Sequence, residues 1–316
     1  MRVNSNIGCW LLVPVIAMGL TASSATAQDA ESTTVTTTET TVGCPATFEI
    51  TYSLYSDYIF RGINFSEYAW EGREKPNHQL TTSLGIDVGD LVGAEPGTCG
   101  TFQFDTFFEW FAAQKQLDPV SGGQNWQEVD YTLSWAYDIE PMSSTLTLGW
   151  TFYAFPNAKQ NNTHEWFVSI DHNDAWMWKW LYPDNEDGVL NPSLALYHDV
   201  GVGAGDAAWV EFGLSHEFEV AEDLTITPSW TLGIDHTYYH YFAGDPDDST
   251  TRFANMLWGL DVTYDITELV RFPEKWGSVA VSGFIFFSDA LGNAEDNRVI
   301  QDEFFGGMSI GWSFGG

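Results

Sequence analysis

Basic residues are scarce in this sequence, which has 11 Lys and Arg against 44 Asp and Glu and a formal net charge of −33. A nucleic-acid-binding face needs clustered Lys and Arg, so the imbalance excludes a nucleic acid partner. Strong acidity with few aromatic residues would indicate disorder. Phe, Trp and Tyr make up 16% of this chain, however, so the acidity belongs to a folded protein.

Long apolar runs are also missing. The run from Cys9 to Leu20 is about a dozen residues, too short to span a bilayer as a helix. Arg2 precedes it and the small residues 25–27 follow it, which is the arrangement of a signal peptide and its cleavage site. We predict that residues 1–27 are a cleaved signal peptide and that no transmembrane helix follows. An uncleaved anchor is the alternative.

The segment after the predicted cleavage site lacks large apolar residues. Residues 28–43 are Thr-rich and polar, and such a stretch cannot bury enough surface to offset its ordering entropy. We predict a flexible periplasmic tail. From residue 44 aromatic residues recur to the end without a second linker, so residues 44–316 form one domain.

Cysteine is rare, with 3 in the whole chain. Cys9 precedes the apolar run, whereas a lipid-modified cysteine would follow one. Cleavage leaves Cys44 and Cys99, and an exported chain can join them in a disulfide. We expect both at the periplasmic end of the fold, while two free thiols are the alternative.

The dominant pattern is the alternation of apolar and polar residues. Because successive residues of a strand point to opposite faces, each alternating segment indicates a two-faced strand. About twelve such segments occur, each of roughly the ten residues that a tilted strand needs to cross a bilayer. The segments are 48–60, 79–88, 102–110, 128–138, 145–152, 165–171, 193–197, 211–218, 226–235, 255–265, 278–288 and 304–314.

Alternation also fits soluble sandwiches and small soluble barrels, but three features favour a membrane. The polar parity is rich in carboxylate, Thr, Ser and Gly rather than in core residues. No Lys or Arg falls on an oily face, where each would cost about 2–4 kcal/mol at mid-membrane. Aromatic residues suited to interfacial girdles cluster at strand ends, namely Phe48, Tyr58, Phe60, Trp110, Trp135, Tyr137 and Phe152. We predict an all-β fold, a single transmembrane antiparallel β-barrel of about 12 strands in the outer membrane of a Gram-negative-type bacterium.

The connections support this topology with two exceptions. Short turns such as 140–143 and 221–223 alternate with longer polar loops, as in outer-membrane barrels. Segments 172–191 and 268–276 are long where strand counting requires periplasmic turns. The Trp-rich stretch 174–180 either forms a short helix at the membrane surface or means that a strand has been miscounted.

The C-terminal segment carries a separate signal. Met308, Ile310, Trp312 and Phe314 alternate with small polar residues. A closing strand with a near-terminal aromatic residue resembles the signal that the barrel-assembly machinery recognises. We therefore expect that machinery and outer-membrane lipids as partners, with an ordinary edge strand as the alternative.

Residues 56–63 (SDYIFRGI), then Lys75-Pro76 and a strand at 80–88, resemble the start of the TorF-like porin family. The resemblance implies a porin-like barrel and adds no catalytic residues. From the residues themselves, we expect Arg61 to close the first strand at its outer end and to pair with Asp57 or Glu67.

A lumen lined by the polar parity is strongly acidic, and bunched carboxylates raise the local cation concentration. We predict passive diffusion of small solutes with a cation preference. The predicted pore-lining carboxylates are Glu49, Asp57, Asp87, Asp105, Glu109, Glu128, Asp130, Glu165, Glu211, Asp235, Asp261 and Asp265.

Three alternatives remain. Aromatic residues on the inward parity narrow the channel or plug it, and these are Phe107, Phe111, Tyr153, Phe167 and Tyr197. A lipase-like barrel enzyme needs a Ser and a His in hydrogen-bond reach, but no recognisable His–Ser pattern or metal-ligand spacing occurs. We therefore predict no enzyme activity, no metal and no cofactor. The third alternative is a soluble secreted carbohydrate-binding β protein.

Overall fold

The computed structural model describes residues 46–68, 76–111, 126–156, 162–183, 188–200, 207–238, 251–292 and 300–315. The predicted signal peptide at 1–27, the predicted tail at 28–43 and Cys44 lie outside these ranges. Within them, no helix has the length and apolar character needed to cross a membrane.

In the described part of the chain, fifteen strands form two sheets. In chain order they are β1 Ala46–Tyr55, β2 Ile59–Phe60, β3 Ile63–Asn64, β4 Asn77–Asp87, β5 Thr101–Phe111, β6 Trp126–Ile139, β7 Ser144–Ala154, β8 Thr163–His172, β9 Ser193–Asp199, β10 Ala208–Ser215, β11 Phe218–Ala221, β12 Leu224–His236, β13 Thr251–Asp265, β14 Ser278–Ala290 and β15 Glu303–Phe314.

The large sheet closes on itself. Each wall strand pairs antiparallel with its neighbour along the chain, and β15 pairs back onto β1 with Phe48 opposite Phe314. Strands β10 and β11 both pair with β12 and share one position in the wall. They are separated opposite Pro228, which has no N–H for the ladder. The result is a closed antiparallel barrel of 12 wall positions, which confirms the predicted all-β barrel.

The alternation determines the two faces of the wall as expected. On the oily parity Leu133 is 49% exposed and Trp258 is 51% exposed, on the outside of the barrel. On the polar parity Asp130 is fully buried inside. Strand β14, whose alternation is ambiguous in the sequence, places Phe284 and Phe286 inward.

The prediction is wrong at the end of the first strand. Strand β1 ends at Tyr55 instead of running to residue 60, and Ser56 makes the last wall contact through its N–H to the Gly306 carbonyl (2.8 Å). Tyr58 and Phe60 are therefore not girdle residues: both are buried inside the barrel.

The two rims differ. The short-turn rim, where β1 begins, carries α1 Val88–Val92, α2 Ala175–Trp178 and short 3₁₀ turns at Glu140–Met142 and Glu274–Trp276. The opposite end is called the long-loop rim below. Segments 172–191 and 268–276 both belong to the short-turn rim, and apart from His172, the last residue of β8, their described residues contain no wall strand.

Asp174 organises the connection after β8. Its carboxylate accepts hydrogen bonds from the Trp178 indole N–H (2.8 Å) and from the N–H groups of Val189 (2.6 Å) and Leu190 (3.1 Å). Burial alone would raise the pKa of Asp174, but these hydrogen bonds to the charged form outweigh burial and lower the pKa below its usual value. The Asp174 carboxylate thus orders the described part of this long connection. The connection contains the short helix that is one of the two interpretations of the Trp-rich stretch 174–180.

Candidate functional site

Residues 57–68 leave the wall at the long-loop rim and fold into the lumen; we call this segment the plug. Its strands β2 and β3 pair as a hairpin, with Ile59 opposite Asn64 and Phe60 opposite Ile63. The two turn residues, Arg61 and Gly62, have φ of 50° and 82°. Positive φ at both positions is the requirement of a type I′ turn, which matches the twist of a two-residue hairpin.

Gly62 is also required by space. A Cβ atom at this position would lie 3.0 Å from Cγ2 of Ile300 and 3.1 Å from Cγ of Asn255. Ile300 is buried, and Asn255 donates from Nδ2 to the Ser288 hydroxyl (3.1 Å). The turn of the plug therefore packs tightly against the wall at β13.

Several backbone N–H and C=O groups of the plug form hydrogen bonds within the plug itself. The N–H of Phe65 donates to the Tyr58 carbonyl (2.8 Å), and the N–H of Tyr58 donates to the Ser66 hydroxyl (2.7 Å). The N–H of Ser66 donates to the Asn64 side-chain carbonyl (2.9 Å). Because a buried backbone group without a partner is costly, these internal bonds help the segment to lie in the lumen.

Arg61 crosses the lumen to the far wall. Its Nη1 and Nη2 donate to Oε2 and Oε1 of Glu165 at 2.7 and 3.0 Å, and both side chains are almost fully buried. Strand β9 lies directly across the lumen from β1, six positions away in either direction round the ring. Glu165 is on β8, the strand next to β9. The expected pairing with Asp57 or Glu67 is therefore wrong. The partner lies 104 residues away in the chain.

Aromatic rings surround the same guanidinium. The ring centroids of Tyr197, Tyr238 and Trp209 lie 4.6, 4.7 and 5.7 Å from its central carbon. Such contacts attract a cation through the ring quadrupole. We call Glu165, Tyr197, Trp209 and Tyr238 together the cation box.

The plug is held on a second side by β5 and β6. The Tyr58 hydroxyl donates to Oε2 of Glu128 (2.7 Å), and its ring packs on Phe107 with centroids 6.1 Å apart. Glu128 lies directly opposite Glu109, and Asp130 is the next inward residue on β6. Three carboxyl groups thus crowd beside the plug.

Two of these carboxyl groups have no hydrogen-bond partner among the described residues. Both oxygens of Glu109 and both of Asp130 are buried and unpartnered. An ionised carboxylate in such a place is costly unless a cation compensates it, and like charges opposite each other on paired strands destabilise further. This patch therefore requires protons or a mobile cation.

A third side of the plug is apolar. Ile59 packs in a buried cluster with residues of β1, β13, β14 and β15, which are Tyr55, Leu257, Phe284, Phe286 and Phe305. The inward aromatic residues of the other walls behave similarly, because Phe107, Tyr153 and Tyr197 belong to one buried cluster with Phe60 and Ile63. The long-loop half of the lumen is closed by these contacts.

The short-turn half of the lumen is different. Its inward side chains are small and partly exposed, and several bond in pairs, such as Thr263 with Ser282 (2.8 Å) and Ser278 with Ser313 (2.7 Å). A water-filled vestibule needs surfaces of this kind. Partly exposed inward residues here include Thr51, Ser83, Thr147, Ser169, Ser193, Thr227 and Ser309.

The predicted pore-lining carboxylates fall into three groups. Most lie in the plug or around it and are buried or half-buried: Asp57 in the plug itself, and Asp105, Glu109, Glu128, Asp130, Glu165, Glu211 and Asp235 on the wall. Glu49 and Asp261 are partly exposed on the inward parity of the short-turn half. Asp87 and Asp265 lie at the short-turn rim, where Asp87 caps α1 by accepting from the Asp90 N–H (2.9 Å) and Asp265 accepts from the Thr267 N–H (2.7 Å).

Sequence reasoning missed the plug itself. A signal was present, because an Arg-Gly pair flanked by Ile59, Phe60 and Ile63 is a two-residue turn between apolar residues. Asp57 belongs to this segment and not to β1. Its Oδ1 accepts from Asn64 Nδ2 at 3.4 Å.

No protein-family model matches this chain, and no curated protein matches it. Solved structures with a similar arrangement include the KdgM porin, with 9% identity, 84% of this chain and 99% of that chain covered, and a TM-score of 0.42. The NanC porin has 10% identity, 84% and 98% coverage and a TM-score of 0.43. The COG4313 outer membrane channel from Pseudomonas putida F1 has 11% identity, 87% and 97% coverage and a TM-score of 0.43. These likenesses are distant, the fold rests on the strand pairing itself, and the resemblance to the TorF-like family stays a prediction.

Proposed function

We propose that this protein is a porin-like channel of the outer membrane of a Gram-negative-type bacterium, with a preference for cations and with the plug as its gate. One observation carries the proposal: an apolar outer wall encloses an interior rich in carboxylates. Among the described residues, the basic groups inside the barrel are Arg61 and Arg252, and each is paired with a carboxylate. The interior field therefore favours cations.

The route to the membrane is part of the same proposal. A signal peptide that is cleaved after Ala27 directs export of the chain, and the barrel-assembly machinery recognises the strand Met308–Phe314. The outward exposure of Met308 (63%) and Ile310 (47%) on the ring-closing strand β15 supports this assignment. Exposed Trp176 and Trp180 beside α2 suit a membrane–water interface at the short-turn rim.

A disulfide between Cys44 and Cys99 also remains a proposal. Cys99 lies at the short-turn rim, where its carbonyl accepts from the Trp135 indole N–H (3.0 Å). Strand β1 begins at Ala46 on the same rim, two residues after Cys44. Mass spectrometry of the unreduced protein, digested and mapped, tests this link.

Planar-bilayer recording of the refolded full-length protein in asymmetric KCl tests the channel. The expected reversal potential has the cation-selective sign. The triple variant Glu109→Gln, Glu128→Gln and Asp130→Asn removes the carboxyl patch beside the plug and should weaken that preference while conductance persists. An anion-selective reversal potential in the unmodified protein would contradict the proposal.

A permanently plugged barrel is the second candidate, because the plug contacts walls on opposite sides of the lumen. The two candidates differ in one measurement. A gated channel conducts intermittently in its native form, whereas a permanent plug gives no current until the plug is removed from the lumen by mutation. Cysteine probes at Leu133 and Trp258 should react as lipid-exposed positions in either case, and a soluble β protein would leave them in water.

An enzyme is not favoured, although among the residues with a described position the fold brings one Ser–His pair together. The hydroxyl of Ser144 and Nδ1 of His172 are 2.9 Å apart on the outer side of the short-turn rim. The other ring nitrogen, Nε2, accepts from the Trp176 indole N–H (3.0 Å). That hydrogen bond puts the proton of neutral His172 on Nδ1, so the ring donates to Ser144 and cannot act as its base.

A further inference from the structure

The cation box is built on the wall and not on the plug. Glu165 belongs to β8, Tyr197 to β9 and Trp209 to β10, while Tyr238 follows β12. Paired strands hold Glu165, Tyr197 and Trp209, and Tyr238 directly follows the bridge between Ala208 and Thr237. The Tyr153 hydroxyl steadies Glu165 by donating to Oε1 at 3.1 Å. The box therefore keeps its form when its present occupant, the Arg61 side chain, leaves.

Arg61 is an unusual choice for its backbone position. Asn, Asp and Gly are the usual residues at positive φ in a type I′ turn, and a long side chain there is strained. The contacts of its guanidinium with the box offset that strain. The side chain at the tip of the plug thus behaves as a tethered ligand in a preformed receptor.

The contacts also define which part of the occupant is recognised. Glu165 takes the two terminal nitrogens as a fork, whereas Nε of Arg61 has no hydrogen-bond partner. A second carboxylate is near, since Trp209 holds Glu211 through Nε1–H to Oε1 (2.7 Å). A planar cation with one substituent fits this pattern, because bidentate pairing and stacking on aromatic rings both favour guanidinium.

We propose that the cation box is a binding site for small organic cations carrying a guanidinium group, and that such solutes compete with Arg61 and thereby release the plug. The proposal names a substrate class and rests on the proposed channel function. In the absence of such a solute, Arg61 occupies the box and the lumen is closed. When the solute takes the box, the plug loses its bidentate anchor on the far wall.

The test uses Arg61→Asn, which vacates the box and leaves an Asn-Gly pair, the preferred type I′ turn. Methylguanidinium is the probe, and methylurea is its neutral control of similar shape. In detergent, methylguanidinium should raise the Tm of the refolded variant while methylurea leaves it unchanged. Adding Glu165→Gln should weaken this binding about tenfold or more, because the charge-assisted pair is lost.

Bilayer recordings supply the second readout. Millimolar methylguanidinium should increase the open fraction of the native protein and leave unchanged that of Arg61→Asn, which lacks the anchoring side chain. If neither form conducts but the Tm rises as described, the channel function fails and the binding site stands. If the variant conducts but methylguanidinium neither raises its Tm nor increases the open fraction of the native protein, the binding site fails and the channel stands.

A folding failure does not leave the question open. Arg61→Gly provides the same vacancy with another residue that suits positive φ, and a shift on unheated gels reports whether either barrel has formed. Equal responses to methylguanidinium and methylurea in the folded variant would overturn the proposal.

Discussion

The two halves of the lumen are built from the same twelve wall positions, yet they differ in almost every property. The long-loop half contains the plug, large aromatic residues and buried carboxyl groups. The short-turn half has glycines and small hydroxyl side chains, and several of the hydroxyls bond in pairs across neighbouring strands. Side-chain size thus decides where the barrel is closed, while strand number sets only its diameter.

The difference also separates two kinds of polar group. Hydroxyls of the short-turn half satisfy one another or face the vestibule. Most carboxyl groups of the long-loop half are buried, and two of them have a partner in the plug, Arg61 at Glu165 and Tyr58 at Glu128. The wall therefore stabilises the plug in the lumen where a plug residue pairs with a carboxyl group. It does not do so at Glu109 and Asp130, whose buried oxygens have no hydrogen-bond partner among the described residues.

The largest expected effect comes from Glu165→Gln, which leaves the Arg61 charge buried without its partner. Breaking a buried ion pair from one side typically costs about 3–5 kcal/mol. We expect the plug to leave the lumen and the open fraction in bilayers to rise. Asp171→Asn on the same strand is the control, since this exposed carboxylate carries the same charge; equal behaviour of the two variants would refute the role of the ion pair.

A smaller effect is expected from Gly62→Ala, which combines strain at φ 82° with a close approach to Ile300 and Asn255. The strain alone costs about 1–2 kcal/mol. Gly93→Ala is a matched control, because Gly93 has φ of 76° and nothing within 4 Å of an added Cβ. Denaturant unfolding of both barrels in detergent should show the larger loss for Gly62→Ala, and the difference measures the packing of the turn.

Tyr58→Phe removes one buried hydrogen bond and keeps the ring against Phe107. The expected cost is about 1–3 kcal/mol, nearer the lower limit because the Glu128 carboxyl can take up a proton. Proteolysis of the plug in refolded protein is the measurement. Tyr264→Phe on the outer face provides the control, and a plug no more sensitive in Tyr58→Phe than in this variant would contradict the assignment.

The smallest effect concerns the short-turn rim alone. The pKa of Asp174 is lower in the folded loop than in an unfolded chain, so the carboxylate stabilises the loop above the ordinary Asp pKa of about 3.9. That contribution is lost as the pH falls through the lower, folded value. Hydrogen-exchange protection factors, which are corrected for the intrinsic rate, should fall in acid at the Val189 and Leu190 amides before the wall opens, and Asp174→Asn should remove most of this pH dependence.

The wall of the barrel was predictable because its signal is local. Alternation identified all twelve wall positions and the outward parity of Leu133 and Trp258, since each strand carries its own two faces. The plug was not predictable in the same way. Apolar residues at Tyr58 and Phe60 continue the parity of β1, so the sequence contains no break at Ser56, where the chain leaves the wall.

The contacts of the candidate site were also only partly predictable from the sequence. Inward carboxylates could be named one by one, but the nearest charged residues in the chain gave the wrong partner for Arg61. Its partner and its aromatic neighbours come from strands β8 to β12, and only closure of the ring brings them opposite the first hairpin.

Period-two patterning by itself determined that this chain forms an all-β barrel with a greasy outside and an acidic inside, because a strand's faces depend only on its own residues. The tertiary structure alone decided that the plug occupies the lumen and that Arg61 reaches the cation box. Contacts across a lumen join residues far apart in sequence, and they exist only after the last strand has paired with the first.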